Sequence, residues 1–193
     1  MQPLAAADAK NDPPAAEELA KAKKELAEEV KKTGDVDVLK FATTVANPFT
    51  MLTEEGKTKL KLRGVDPVRL AKLKAVYLTG NHRDTGSKGL VNNDPDTVLV
   101  IGKGFITRGP VFSLGPILAI ENAHFMGNVT GADVVWFADQ SFPRGQTRGA
   151  PVILALTAIH SQMGTGTKHI WQGDYGWRAP KDFPEKAKEG ADK

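Results

Sequence analysis

The residues of this chain that could do chemistry fall in short strings. Asp84-Thr85-Gly86-Ser87 spells the signature in which two buried aspartates share a proton. That chemistry needs an apolar strand leading into the aspartate, and the residues before it are Gly80-Asn81-His82-Arg83. The string therefore reads as a surface loop of turn formers, in keeping with the high false-positive rate of short motifs. His82-Arg83-Asp84 opens a kinase-type catalytic loop, but Gly89 stands where its Asn belongs. Gly102-Lys103-Gly104 and Gly164-Thr165-Gly166-Thr167 lack the full phosphate-loop spacing and read as strand-end turns. The four histidines, His82, His124, His160 and His169, show no metal-ligand spacing, and the chain has no cysteine to complete a site. Ser87, Ser113, Ser141 and Ser161 leave a Ser-His-Asp triad open, with no Gly-x-Ser-x-Gly elbow to favour one. The sequence thus assigns no catalytic residue, no metal and no cofactor, and points away from an enzyme.

Three groups of residues suit contact instead. Arg144 and Arg148 lie in Pro143-Arg144-Gly145-Gln146-Thr147-Arg148-Gly149, where a planar guanidinium can meet phosphate or carboxylate. Trp171, Tyr175 and Trp177 cluster in a Gly-containing stretch, where aromatics stack on sugars or bases or pack against protein. Leu19, Leu26 and Val30, with Ala22, form a narrow stripe at helical spacing.

These residues must be positioned by two unlike halves. From Val98 to Trp171 the charged residues are Lys103, Arg108, Glu121, Asp133, Asp139, Arg144, Arg148 and Lys168 alone, whereas the first ninety residues are crowded with Lys, Glu and Asp. Charged side chains are rarely buried unless paired, so so sparse a segment reads as covered on most sides. Within it Val98–Ile101, Val111–Leu114, Ile117–Ile120, Val134–Phe137 and Val152–Leu156 are short apolar runs separated by Gly and Pro. Runs spaced this way indicate an all-β sandwich or barrel. Parallel pairing is disfavoured because no helix-length crossover separates the runs, and no internal repeat is evident. Several runs are continuously apolar, as in strands covered on both faces.

Ahead of this lies a helix. Asp12 caps it, Pro13 and Pro14 suit its first turn, and Glu17, Glu18, Lys31 and Lys32 complement its dipole, with Gly34 as the stop. Thr58 to Arg63 alternates as a strand should. Asp66-Pro67 resembles a helix start, while Lys72 to Thr79 reads as a strand, and the two readings compete. The expected organisation is an N-terminal arm with an amphipathic helix over 1–34, a jelly-roll-like β-sandwich over 35–178 and a polar tail over 179–193.

Lys and Arg number 26 against 23 Asp and Glu, a net charge of +3. This balance makes nucleic acid a possible partner but not one that charge indicates. The N-terminus has no basic and apolar leader pattern, and the run Ala150–Ile159 is too short to span a bilayer as a helix. A protein made in the cytoplasm, without signal peptide or transmembrane segment, is expected.

Val134-Val135-Trp136-Phe137-Ala138-Asp139, followed by Pro143-Arg144-Gly145, resembles a strand and turn of single jelly-roll coat proteins of icosahedral viruses. Lys72-Leu73-Lys74-Ala75-Val76-Tyr77-Leu78-Thr79-Gly80 is similar to the strand that opens those sandwiches. The resemblance implies a structural subunit of a symmetric assembly, most simply a virion protein (capsid, coat or cementing). Such a subunit would self-associate through apolar β-surfaces and terminal arms, beside other structural proteins of the particle. Residues 1–33 depart from the pattern, since they contain no Arg. The alternative is a non-catalytic binding module for carbohydrate or nucleic acid. In either case the contacts fall to Leu19, Leu26, Val30, Arg144, Arg148, Trp171, Tyr175 and Trp177.

Overall fold

The computed structural model describes residues 15–31, 36–80, 89–154, 170–181 and 183–184. The residues proposed to cap the first helix (Asp12, Pro13, Pro14, Lys32 and Gly34), the Asp84 string, His82, His160, His169, Ser87, Ser161 and Gly164 to Thr167 lie outside them.

Helix α1 spans Ala16–Lys31, with Glu17 and Glu18 in its first turn and Lys31 in its last. Strand β1 (Val36–Asp37) and β2 (Thr43–Val45) follow, then two helices, the first of them where alternation had implied a strand. Helix α2 (Glu54–Leu62) replaces the strand expected over Thr58 to Arg63. The cause is local: the Thr53 hydroxyl accepts from the Gly56 N–H at 3.1 Å, and Glu54 and Glu55 occupy the first turn. Only Gly56 and Leu60, one helical turn apart, are buried, while Leu62 stays 70% exposed. Helix α3 (Pro67–Lys72) starts as its Asp66-Pro67 signal indicates, with the Asp66 carboxylate accepting from the Val68 N–H at 2.9 Å. It passes directly into β3 (Lys74–Leu78), so both competing readings of this stretch hold, one after the other.

The remaining strands are short and almost all parallel. They are β4 (Leu90–Asn92), β5 (Thr97–Ile101), β6 (Ile106–Thr107), β7 (Val111–Ser113), β8 (Ile117–Ala119), β9 (His124–Phe125), β10 (Val129–Gly131), β11 (Val135–Phe137), β12 (Phe142–Pro143), β13 (Thr147–Arg148), β14 (Val152–Leu154) and β15 (Ile170–Gln172). They stack into three sheets, which we call A (β1-β4-β7-β10-β13), B (β15-β14-β11-β8-β5-β3-β2) and C (β12-β9-β6). From β4 to β12 each turn of the chain gives one strand to each sheet, and sheets A and B continue with β13 and β14. The result is a β-solenoid of about four turns, which overturns the expected jelly-roll β-sandwich. A parallel pair needs a crossover of a dozen or more residues, and here the other two sides of the coil provide it without a helix.

The coil also carries the repeat that the sequence concealed. Leu99 pairs with Ile117 and Ile117 with Val135, 18 residues apart each time; Ile106, His124 and Phe142 are in register at the same interval. The inward column of sheet B, with Leu99, Ile101, Ile117, Ala119, Val135, Phe137, Val152 and Leu154, joins Phe105, Val111, Phe125 and Val129 in the solenoid interior. Stacked coils of this kind bury a continuous core that no single turn could close.

Sheet B is buried on its outer face as well. Val98, Val100, Leu118, Val134, Trp136 and Ile153 point outward into a second core with Phe49, Leu52, Leu60, Leu70, Trp171, Tyr175, Trp177 and Phe183. The continuous apolar runs therefore do mark strands covered on both faces, and the cover is this chain's own helices and C-terminal segment. At the N-terminal edge of sheet B, β2 pairs antiparallel with β3 and closes the ladder there.

Candidate binding face

Among the described residues, the sparse charges of the second half sit where the coil turns or beside an opposite charge. Asp133, 2% exposed, begins β11's turn of the coil. Its carboxylate meets the Lys23 ammonium at 2.7 Å and the Arg69 guanidinium at 2.9 Å through both oxygens, and accepts from the Val134 N–H at 2.8 Å. A buried carboxylate so ringed ties α1 and α3 to the solenoid at one point. Beside it a cavity of about 230 Å³ opens between Leu19, Lys23, Val65, Arg69 and Ala150. Glu121 accepts from the Tyr77 hydroxyl at 2.5 Å. Burial, then that bond and the Glu121 charge, push the Tyr77 phenol far above its usual range, so it remains a donor.

Of the expected contact residues, Leu19, Leu26 and Val30 lie on α1, which packs over β10 of sheet A; Val30 is fully buried there and Leu19 lines the cavity. Arg148, pointing out from sheet A, meets the Glu29 carboxylate of α1 at 3.1 Å. Helix α1 is thus packed on its own chain. Trp171, Tyr175 and Trp177 are 2%, 5% and 2% exposed. The Tyr175 ring stands edge-on to Trp136 at 5.5 Å, Trp177 Nε1 donates to the Pro48 carbonyl at 2.8 Å, and Arg63 lies over Trp171 at 5.2 Å. The three aromatics hold the outer core together.

Arg144 is set apart from Arg148, on sheet C. The outward column of that sheet is Ile106, His124 and Phe142, each half-buried. A second column of Arg108, Met126 and Arg144 is exposed, with Met126 at 42%. Strands in a sheet are about 4.8 Å apart, so the two guanidinium stems stand roughly 10 Å from each other. Arg144 lies over the Phe142 ring at 5.6 Å, and the His124 and Phe142 rings are 4.6 Å apart. Neither Arg108 nor Arg144 has a carboxylate partner among the described residues. Sheet A is overlaid by α1 and sheet B by its outer core, while among the described residues no helix packs on sheet C.

Sequence reasoning named Arg144 of this face and missed Ile106, Arg108, His124, Met126 and Phe142. A signal was present in Arg108-Gly109-Pro110, Met126-Gly127-Asn128 and Arg144-Gly145-Gln146, three corners with glycine recurring every 18 residues.

Among the described residues, no cluster of three or more His, Cys, Asp or Glu could hold a metal ion. No described helix is long and apolar enough to cross a membrane. No family model, curated protein or solved structure matches the chain.

Proposed function

We propose that this protein is a non-catalytic binding module, a rigid solenoid that presents sheet C to an anionic partner. The observation that carries the reading is the open column of Arg108, Met126 and Arg144 beside Ile106, His124 and Phe142. Arg and aromatic residues are the types that dominate contact surfaces, and two guanidiniums held in register by the ladder bear no counter-charge among the described residues. A ladder fixes side chains at regular spacing with little left to order on binding, which lowers the entropic cost of association. A shell subunit, by contrast, needs apolar β-surface and a free arm to offer its sister copies. Here the outer face of sheet B is covered from within, and α1 is engaged by Asp133 and Arg148.

Retention on immobilised dextran sulfate tests the reading. Arg108→Glu with Arg144→Glu should elute at markedly lower salt than the parent protein. Lys24→Glu with Lys40→Glu, the same change in charge at exposed positions elsewhere, should elute much closer to it. Equal loss in both double variants would sink the assignment of this face.

A further inference from the structure

We infer that the partner of sheet C is an acidic polysaccharide of the uronate type, laid across the rungs; the inference rests on the reading above and names its ligand. Single-stranded nucleic acid is gripped by free aromatic faces on which successive bases stack, together with a dense track of cations for the phosphates. Phe142, the aromatic of this face, is already occupied by Arg144 at 5.6 Å and by the His124 ring at 4.6 Å. The cations number two and stand two rungs apart, with Met126 between them. That spacing suits a polymer whose charges are separated by apolar ring faces. Each guanidinium fork matches a carboxylate, and Met126 and Ile106 offer apolar surface to the sugar ring. The coil corners on either side carry exposed amides, Asn122 on one, its Oδ1 2.8 Å from His124 Nε2, and Asn128 and Gln146 on the other, the Asn128 Oδ1 accepting from the Gln146 N–H at 3.0 Å. Amides donate and accept at once, as hydroxyl groups require. A neutral glycan would leave the two guanidiniums without a counter-charge, and a bare polyphosphate would leave the apolar column and the amides unused.

The test titrates the full chain by fluorescence anisotropy with three labelled probes of similar length: a galacturonate decasaccharide, a dextran decasaccharide and an oligo-dT. The galacturonate should bind most tightly, and Arg108→Gln with Arg144→Gln should weaken it at least tenfold without moving the thermal midpoint. Lys103→Gln, at a coil corner off the column, should leave it unchanged. Tighter binding of oligo-dT, lost in the arginine variant, would overturn the polysaccharide assignment and keep the face. Dextran binding as tightly as galacturonate would overturn it too. Binding of no probe, or binding that the arginine variant leaves intact, would overturn both the ligand and the face.

Discussion

Asp139 shows how tightly a single residue is constrained by a coil corner. It and Gln140 have φ of 48° and 64°, and Glu121 and Asn122, 18 residues earlier, have 51° and 62°. The left-handed region suits Asn better than most residues. The Asp139 carboxylate accepts from the Ala179 N–H at 2.9 Å, tying the C-terminal segment to the solenoid. Burial nonetheless raises its pKa, against the opposing pull of that N–H and of Arg178. A raised folded-state pKa means that the native protein holds this proton more tightly than the unfolded chain does. The associated stability is complete below the unfolded value, about 3.9, and is lost as pH rises through the folded value. Asp139→Asn keeps an acceptor for Ala179 and removes the desolvated charge. Its thermal midpoint should lie above the parent's at pH 7 to 8, with the gap closing in acid. A variant less stable than the parent at pH 8 would contradict this account of the corner.

At the scale of the element, the corners fix how closely one coil sits on the next. A Cβ on Gly145 would lie 2.3 Å from the Gly127 carbonyl oxygen, and one on Gly127 would lie 2.4 Å from that of Gly109. Both clashes are with backbone, which cannot swing aside as a side chain would. Gly145→Ala should therefore cost about 1–3 kcal/mol, the usual range for overpacking, seen as a lowered denaturant midpoint. Gly104→Ala meets no atom within 4 Å, although its φ of 74° adds a backbone cost of its own. If Gly145→Ala were neutral, the coils could not be packed as closely as described.

Much of this element scale was legible in the sequence. The apolar runs are strands, the Asp66-Pro67 start is a helix, and the first helix has its charges at the expected ends. The parallel coiling was not. An inward column such as Leu99, Ile117 and Val135 accepts any aliphatic residue, so the 18-residue period survives in shape without surviving in identity. Glycines that recur at the corners read as generic turns until they are aligned with one another. The strand expected over Thr58 to Arg63 failed for a different reason: alternation over six residues is weak against a capped helix start.

For the whole molecule, the decisive contrast is between a charged first half and an almost uncharged second. Burial of sheet B on both faces was legible in its continuous runs, but the identity of the cover was not. Phe49, Leu52, Leu60 and Leu70 are scattered through a charged half with no common period, where they do not announce a layer. Folded, they meet Trp136, Trp171 and Trp177 and close the outer core from within the chain. Among the described residues, the face proposed for a partner is sheet C, which is small, cationic and edged with amides. Sedimentation equilibrium of the purified chain at high concentration tests this central claim most directly. A single copy is expected at every loading, because the apolar outer face of sheet B is already shielded. Concentration-dependent growth into larger species, with Trp136 or Trp171 becoming protected only on association, would contradict it.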